Sequence, residues 1–73
     1  MMGTANTQRL VLKDCRKEKG TQRKVATDLE ITEAHWREIE NGNSVPGTRL
    51  LFKICNYFGK SVYVLFPDLT EAS

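Results

Sequence analysis

Apolar residues recur at intervals of three and four positions along most of the chain, with charged and polar residues between them. Because an α-helix completes a turn about every 3.6 residues, this spacing predicts amphipathic helices that each bury one face. No segment alternates apolar and polar residues for long enough to predict a strand. The pattern therefore predicts an all-α domain with five helices, over residues 8–19, 22–29, 33–41, 47–58 and 62–66.

The same periodicity predicts which side chains point inward. In the first helix Val11, Leu12 and Cys15 share one face, while Arg9 lies on the opposite, polar side. The predicted inward residues of the next three helices are Val25, Ala26 and Leu29, then Trp36 and Ile39, and then Leu50, Leu51, Ile54, Cys55 and Phe58.

Hydroxyl and glycine residues mark the predicted helix ends. A hydroxyl oxygen just before a helix accepts a hydrogen bond from a free backbone N–H of the first turn. The predicted N-caps are Thr7, Thr21, Thr32 and Ser61. Ile31 and Trp36 flank Thr32 at the spacing of a hydrophobic staple, which supports a helix start there. The predicted stops are Gly20, Gly42, Gly59 and Pro67.

The length of 73 residues corresponds to one small domain. We expect a disordered N-terminus over residues 1–6, a helical domain over residues 7–67 and a loose C-terminal tail over residues 68–73. No stretch approaches the ~20 apolar residues of a membrane span, and none resembles a signal peptide, so we expect a soluble, cytoplasmic protein without a membrane partner. The net charge of +2 permits nucleic-acid binding without demonstrating it.

Residues for catalysis or metal binding are sparse. Cys15, Cys55 and His35 are too far apart in sequence to form a zinc site. The two cysteines fit small core residues with free thiols, and a Cys15–Cys55 disulfide is the alternative. The sequence contains no nucleophile–base pair and no phosphate-binding loop, so we expect no catalytic residues, cofactor, metal or small-molecule substrate.

One stretch resembles a known signature. Residues 22–42 read QRKVATDLEITEAHWREIENG, which is similar to the helix-turn-helix of the Cro/CI (XRE) family of phage and bacterial repressors. The matching residues are Gln22, Val25, Ala26, Leu29, Ile31, Thr32, Trp36, Ile39, Glu40, Asn41 and Gly42. Further matches run from Leu12 to Arg16 and from Pro46 to Phe66, so the resemblance covers about residues 8–67. It implies a compact five-helix, lambda-repressor-like domain with a helix-turn-helix formed by helices 2 and 3.

The resemblance also implies a structural ion pair, and the sequence departs from the family pattern at two corners. Arg16 of the first helix would pair with Glu40 at the end of the third. Gly20 joins Thr21 directly, so the corner between helices 1 and 2 is one residue shorter than usual. Glu30 stands where the family has glycine, and it must either adopt a positive φ or reshape the turn.

By position, the resemblance assigns three groups of functional residues. The expected DNA base contacts are Glu33, Ala34, Arg37 and Glu38. The expected phosphate contacts are Thr21, Gln22, Asn41, Asn43, Ser44 and Arg49. The expected dimer contacts are Val62, Tyr63, Phe66 and Leu69. The alternative for Glu33 and Arg37 is a solvated surface pair. Trp36 fits a core residue, with a stacking platform as the alternative, and His35 fits a surface position.

Two functions follow as hypotheses. The first is a sequence-specific regulator of transcription, a small repressor that binds double-stranded DNA as a homodimer with helix 3 in the major groove. The second is a protein-interaction module on the same fold, such as an antitoxin or a regulator of another regulator. Residues 20–49 contain four basic and five acidic side chains, which favours the second, because DNA affinity depends on phosphate neutralisation. We do not expect an enzyme.

Overall fold

Six α-helices make up most of the part of the chain that the computed structural model describes, residues 8–70. They are α1 (Leu10–Lys19), α2 (Gln22–Leu29), α3 (Glu33–Glu40), α4 (Thr48–Phe58), α5 (Val62–Leu65) and α6 (Pro67–Thr70). The all-α prediction is confirmed. The expected disordered N-terminus, the Thr7 cap and residues 71–73 of the expected tail lie outside the described residues.

The two ends of the helical part differ from the prediction. Helix α1 begins at Leu10, two residues later than predicted, and Arg9 precedes it without a side-chain cap. The prediction of five helices is one short, because Pro67 ends α5 and then begins α6. Proline suits a first helical position, since its fixed φ is helical and its missing N–H would have no partner there. Residues 68–70, expected in a loose tail, therefore belong to a helix.

The internal caps agree with the sequence. The hydroxyl oxygen of Thr21 accepts a hydrogen bond from the Lys24 N–H at 3.1 Å, and that of Thr32 accepts one from the His35 N–H at 3.0 Å. Ser61 caps α5 in the same way. Gly59 ends α4 with φ 67°, the left-handed conformation that glycine adopts at low cost. These caps set where α2 and α3 begin and hence which residues lie at their N-termini.

A single core joins α1 to α5. Its buried side chains are Leu12, Val25, Ala26, Leu29, Trp36, Ile39, Ile54, Leu65 and Phe66. Trp36 has no exposed surface, so the interpretation of it as a core residue is confirmed. Burial of one such large side chain stabilises a fold by about 1.5–3 kcal/mol. In so small a domain, the angle between α2 and α3 therefore depends on few residues.

Two residues of the first helical segment are placed differently from the prediction. Val11 is exposed rather than inward, and Arg9, predicted on the polar side, is buried. Leu50, Leu51, Cys15, Cys55 and Phe58 are half-buried against the core. Within residues 8–70, none of the helices has the length and apolar character needed to cross a membrane.

Candidate nucleic-acid interface

Helices α2 and α3 form the helix-turn-helix, and the turn between them contains Glu30 in a left-handed conformation. Glu30 has φ 64° and ψ 40°, so the residue takes the place of glycine without reshaping the turn. Lys53 of α4 contacts this turn: its Nζ donates to the Leu29 carbonyl at 2.9 Å and to Glu30 Oε1 at 3.0 Å. A left-handed non-glycine residue costs roughly 1–2 kcal/mol, and the Lys53 contacts offset part of that cost.

The carboxylate of Glu40 joins three helices beneath the interface. Arg16 donates from Nε to Oε1 at 2.8 Å and from Nη2 to Oε2 at 3.0 Å. The indole N–H of Trp36 donates to Oε1 at 2.9 Å, and the side-chain amide of Gln22 donates to Oε2 at 3.3 Å. The structure thus brings Arg16 and Glu40 together as a bidentate pair, with Glu40 only 1% exposed.

The pKa of Glu40 reflects two opposing effects. Burial raises the pKa, because it disfavours the charged form. The hydrogen bonds from Arg16, Trp36 and Gln22, together with the charge of Arg16, outweigh burial and hold the pKa below its ordinary value. Glu40 is therefore an ionised acceptor at neutral pH.

Arg9 holds the loop that follows α3. Its backbone N–H donates to the Glu40 carbonyl at 3.1 Å, and its Nη1 donates to the carbonyls of Ile39 and Ser44, both at 2.7 Å. Its Nε and Nη2 bind the carboxylate of Asp68 in α6, and these hydrogen bonds lower the pKa of Asp68. Arg9 therefore satisfies carbonyls at the C-terminal end of α3 and fixes the loop of residues 41–47. Sequence reasoning missed this role.

The four residues expected to contact bases occupy the outer side of α3. Ala34, Arg37 and Glu38 are exposed, and Glu33 is half-exposed. Glu33 lies between two guanidinium groups, with its Oε2 3.5 Å from Nη2 of Arg37 and its Oε1 3.7 Å from Nε of Arg23. Arg23 was not among the expected contacts, although it follows Gln22, an expected phosphate contact, at the N-terminus of α2.

Some of the residues expected to contact phosphates are exposed, and others already make hydrogen bonds within the protein through a side chain or the backbone. Asn43 and Arg49 are exposed, and Asn41 is half-buried. The Thr21 hydroxyl caps α2, the Gln22 amide donates to Glu40, and the Ser44 carbonyl accepts from Arg9. These interactions fix the backbone at the two ends of the helix-turn-helix.

One of the expected dimer contacts is not available. Phe66 has no exposed surface and lies in the core beneath the guanidinium of Arg9, whose Cζ is 5.0 Å from the ring centroid. The assignment of Phe66 to a dimer contact is therefore wrong, because its side chain cannot meet a second copy without opening the core. Tyr63 is 72% exposed, while Val62 and Leu69 are half-buried against the core.

The acidic side chains near the interface are mostly neutralised by neighbouring cations. Asp28 pairs with Lys24, Glu30 with Lys53, Glu33 with Arg23 and Arg37, and Glu40 with Arg16. Arg16 and Lys53 lie outside residues 20–49, so a count within that segment overstates its negative charge. Among residues 8–70, Glu38 is the one carboxylate of the segment with no cation within 4.0 Å.

Residues 8–70 contain no group of three His, Cys, Asp or Glu side chains that could hold a metal ion. His35 is exposed at the start of α3, as expected from its position. Cys15 and Cys55 carry free thiols, and burial raises the pKa of the Cys55 thiol. Neither cysteine lies among the residues that form the interface.

A family model described as "Helix-turn-helix" matches residues 12–65, which extend from α1 to the end of α5. No curated protein and no solved structure gives a significant match. The matched range contains both helices of the helix-turn-helix and the Arg16–Glu40 pair.

Proposed function

The chain belongs to the Cro/CI-type helix-turn-helix family, and from this premise we propose that it is a small transcriptional repressor that binds double-stranded DNA as a homodimer. The family is one of DNA-binding regulators and not of enzymes. The proposal adds to this the role of repressor, the two-fold assembly and the individual contacts.

The observation that carries the proposal is the outer side of α3. This helix begins at a capped N-terminus, and Ala34, Arg37 and Glu38 project from it into solvent. The chemistry of these side chains suits base edges: an arginine donates to guanine O6 and N7, an alanine methyl contacts the thymine methyl, and a glutamate accepts from cytosine N4. Glu33, at the first position of the same helix, is a further acceptor.

Phosphate contacts would come from both ends of the helix-turn-helix. The N-terminus of α2, at Thr21 and Gln22, presents free backbone N–H groups and the positive end of the helix dipole. The loop after α3 and the start of α4 supply Asn41, Asn43, Ser44 and Arg49. Arg9 and Glu40 hold these two ends at a fixed separation, which supports simultaneous contact with one DNA backbone.

The size of the contact area supports pairing of two copies. A single module of this kind buries only about 600–1,000 Å² of protein surface on DNA, which is small for tight specific binding. Tyr63, with the exposed parts of Val62 and Leu69, is the surface that we assign to the second copy. A two-fold dimer would read two half-sites about one helical turn apart.

Selection of bound sequences from random DNA tests the proposal. We expect enrichment of one sequence with two-fold symmetry and half-site centres about 10 base pairs apart. Enrichment of a single, asymmetric half-site would remove the homodimer, and a pool that stays random after selection would contradict sequence-specific binding.

A second candidate is a protein-interaction module on the same fold. The observation that favours it is Glu38, an exposed carboxylate among the α3 residues expected to contact bases, with no cation within 4.0 Å among residues 8–70. Such a charge repels DNA phosphates but suits a basic protein surface. Binding to a basic partner protein that is lost in Glu38→Gln, in a protein that does not bind DNA, would support this function instead.

A further inference from the structure

Two arginines from different helices meet at one carboxylate on the outer surface of the helix-turn-helix. Arg23 extends from α2 and Arg37 from α3, and Glu33 lies between them at 3.7 Å and 3.5 Å. The side chains of Arg23, Glu33 and Arg37 are 83%, 39% and 49% exposed, respectively. The cluster is thus accessible to a ligand. In the described part of the chain, no other side chain of α2 or α3 pairs with two guanidinium groups.

The distances and the charges define how the cluster behaves. Separations of 3.5–3.7 Å are those of ion pairs rather than short hydrogen bonds, so the guanidinium N–H groups keep their capacity to donate. The two cations repel each other, and the carboxylate between them offsets that repulsion and holds both on one side of the protein. With two positive charges and one negative charge, the cluster remains attractive to an anion.

We propose that Arg23 is a DNA phosphate contact and that Glu33 is a positioning residue, which holds Arg23 and Arg37 in their DNA-binding orientations and thereby sets specificity. The proposal rests on the proposed function, and it assigns to Glu33 a role through the arginines instead of a direct base contact. An arginine distinguishes guanine only when its planar fork is aligned with O6 and N7. A guanidinium that is oriented before binding loses less conformational freedom on binding than a free one.

Loss of the Glu33 carboxylate should therefore raise the non-specific affinity for DNA and lower the preference for the correct sequence. Without Glu33, one negative charge disappears near the phosphates, so non-specific affinity rises. Arg37 also becomes free to turn toward phosphates of any sequence, so the advantage of the correct sequence falls. Replacement of a residue that only stabilises the fold would not change the ratio of specific to non-specific affinity, because both arginines would keep their orientation in every folded molecule.

The test compares Glu33→Gln with Glu18→Gln. Glu18 is an exposed acid on α1, outside the helix-turn-helix, and the substitution removes the same charge. Affinity is measured for the sequence that the wild-type protein selects and for mixed-sequence DNA, with melting curves as a check on folding. We expect Glu33→Gln to lower the ratio of specific to non-specific affinity roughly five- to tenfold, the lower end of the range for loss of a bidentate base contact. We expect Glu18→Gln to leave the ratio unchanged.

A second comparison tests Arg23 against its neighbour Lys24. Lys24 is exposed too, but its Nζ is bound to Asp28 at 2.7 Å. Arg23→Ala should reduce the slope of log affinity against log salt concentration by about one, the effect of one lost phosphate contact. Lys24→Ala should leave the slope unchanged, because this ammonium is held on Asp28 at 2.7 Å, whereas the Arg23 guanidinium lies 3.7 Å from Glu33.

The outcomes separate this proposal from the proposed function. If the wild-type protein does not bind DNA, both are overturned. If it binds DNA but Glu33→Gln and Glu18→Gln have the same ratio of specific to non-specific affinity, Glu33 has no positioning role. If the salt slope of Arg23→Ala equals that of Lys24→Ala, Arg23 is not a phosphate contact. Either of these last two results leaves DNA binding itself intact.

Discussion

Arg16 and Glu40 form a bidentate ion pair, with Nε to Oε1 at 2.8 Å and Nη2 to Oε2 at 3.0 Å. The side chain of Arg16 is 12% exposed and that of Glu40 is 1% exposed, so little solvent screens the pair. Trp36 and Gln22 donate to the same carboxylate, which links α1 to both helices of the helix-turn-helix. The carboxylate of Glu40 therefore acts together with the apolar core in holding the orientation of α2 and α3.

Removal of Arg16 should destabilise the fold strongly. Arg16→Met leaves the buried carboxylate of Glu40 without its charged partner, and we expect a loss of about 3–5 kcal/mol in the free energy of unfolding. Lys17→Met alters the next residue, which is exposed, and should change stability by less than about 0.5 kcal/mol. Urea unfolding of both variants measures the difference, and equal midpoints would show that the Arg16–Glu40 pair does not stabilise the fold.

The pKa of Glu40 predicts how stability depends on pH. The folded-state pKa is lowered, so folding favours the ionised carboxylate. Its contribution is fully present above the unfolded-state pKa of about 4.3 and is lost as pH falls through the lower folded-state pKa. Asp28 and Asp68, whose pKa values are lowered as well, change stability in the same direction.

Unfolding measured between pH 7 and pH 3 tests this dependence. The wild-type protein should lose stability as pH falls below about 4.3, while Glu40→Gln, less stable at pH 7, should show a flatter curve. Parallel curves for the two proteins would show that Glu40 does not carry the dependence.

Arg9 should be as important for stability as Arg16, although it lies at the edge of the helical part. Its side chain is 2% exposed and satisfies two backbone carbonyls and Asp68. Arg9→Met leaves these acceptors without partners, and we expect a loss of about 3 kcal/mol or more. Asp68→Asn should cost less, because Asp68 is 37% exposed and the amide oxygen of the asparagine still accepts a hydrogen bond.

Thermal melting of the two variants, with Arg49→Met as an exposed arginine control, measures these costs. A melting temperature of Arg9→Met equal to that of Arg49→Met would contradict the structural role of Arg9.

How much of the structure the sequence predicts depends on how far apart along the chain the interacting residues lie. The helical period predicted that Val25, Leu29, Trp36 and Ile39 are buried, because periodicity is a local property that tertiary contacts reinforce. The positive φ of Glu30 was one of two alternatives, and the contacts of Lys53, 23 residues away in sequence, help to stabilise the one that occurs.

Other features depend on contacts that no local pattern contains. Arg9 and Asp68 are 59 residues apart, and no residue near Arg9 in sequence indicates that its side chain is buried. Helix α5 has four residues, which is too short for periodicity to show that Phe66, just after it, points inward and Tyr63 outward. The position of Glu33 between two arginines depends on the angle between α2 and α3. That angle results from the packing of the core and could not be predicted from a local sequence pattern.

Arg37 and Arg49 should affect DNA binding in different ways. Arg37 is one of the α3 residues that we propose contact bases, and Arg49 lies in the first turn of α4, next to the loop that we assign to phosphates. Arg37→Ala should cost about 1–3 kcal/mol on the preferred sequence and relax base preference at one position. Arg49→Ala should weaken binding to all sequences alike and reduce the salt slope by about one.

Binding of each variant to the selected sequence and to its single-base variants distinguishes the two roles. If both variants lose affinity evenly across all sequences, the division into base and phosphate contacts is wrong.

DNA binding itself is tested most directly by titration with salt. Affinity of the wild-type protein for mixed genomic DNA is measured between about 50 and 200 mM salt, the range in which counterion release changes affinity most clearly. We predict binding at low salt, with log affinity falling linearly as log salt concentration rises. No binding at low salt, or an affinity that does not change with salt, would contradict the account.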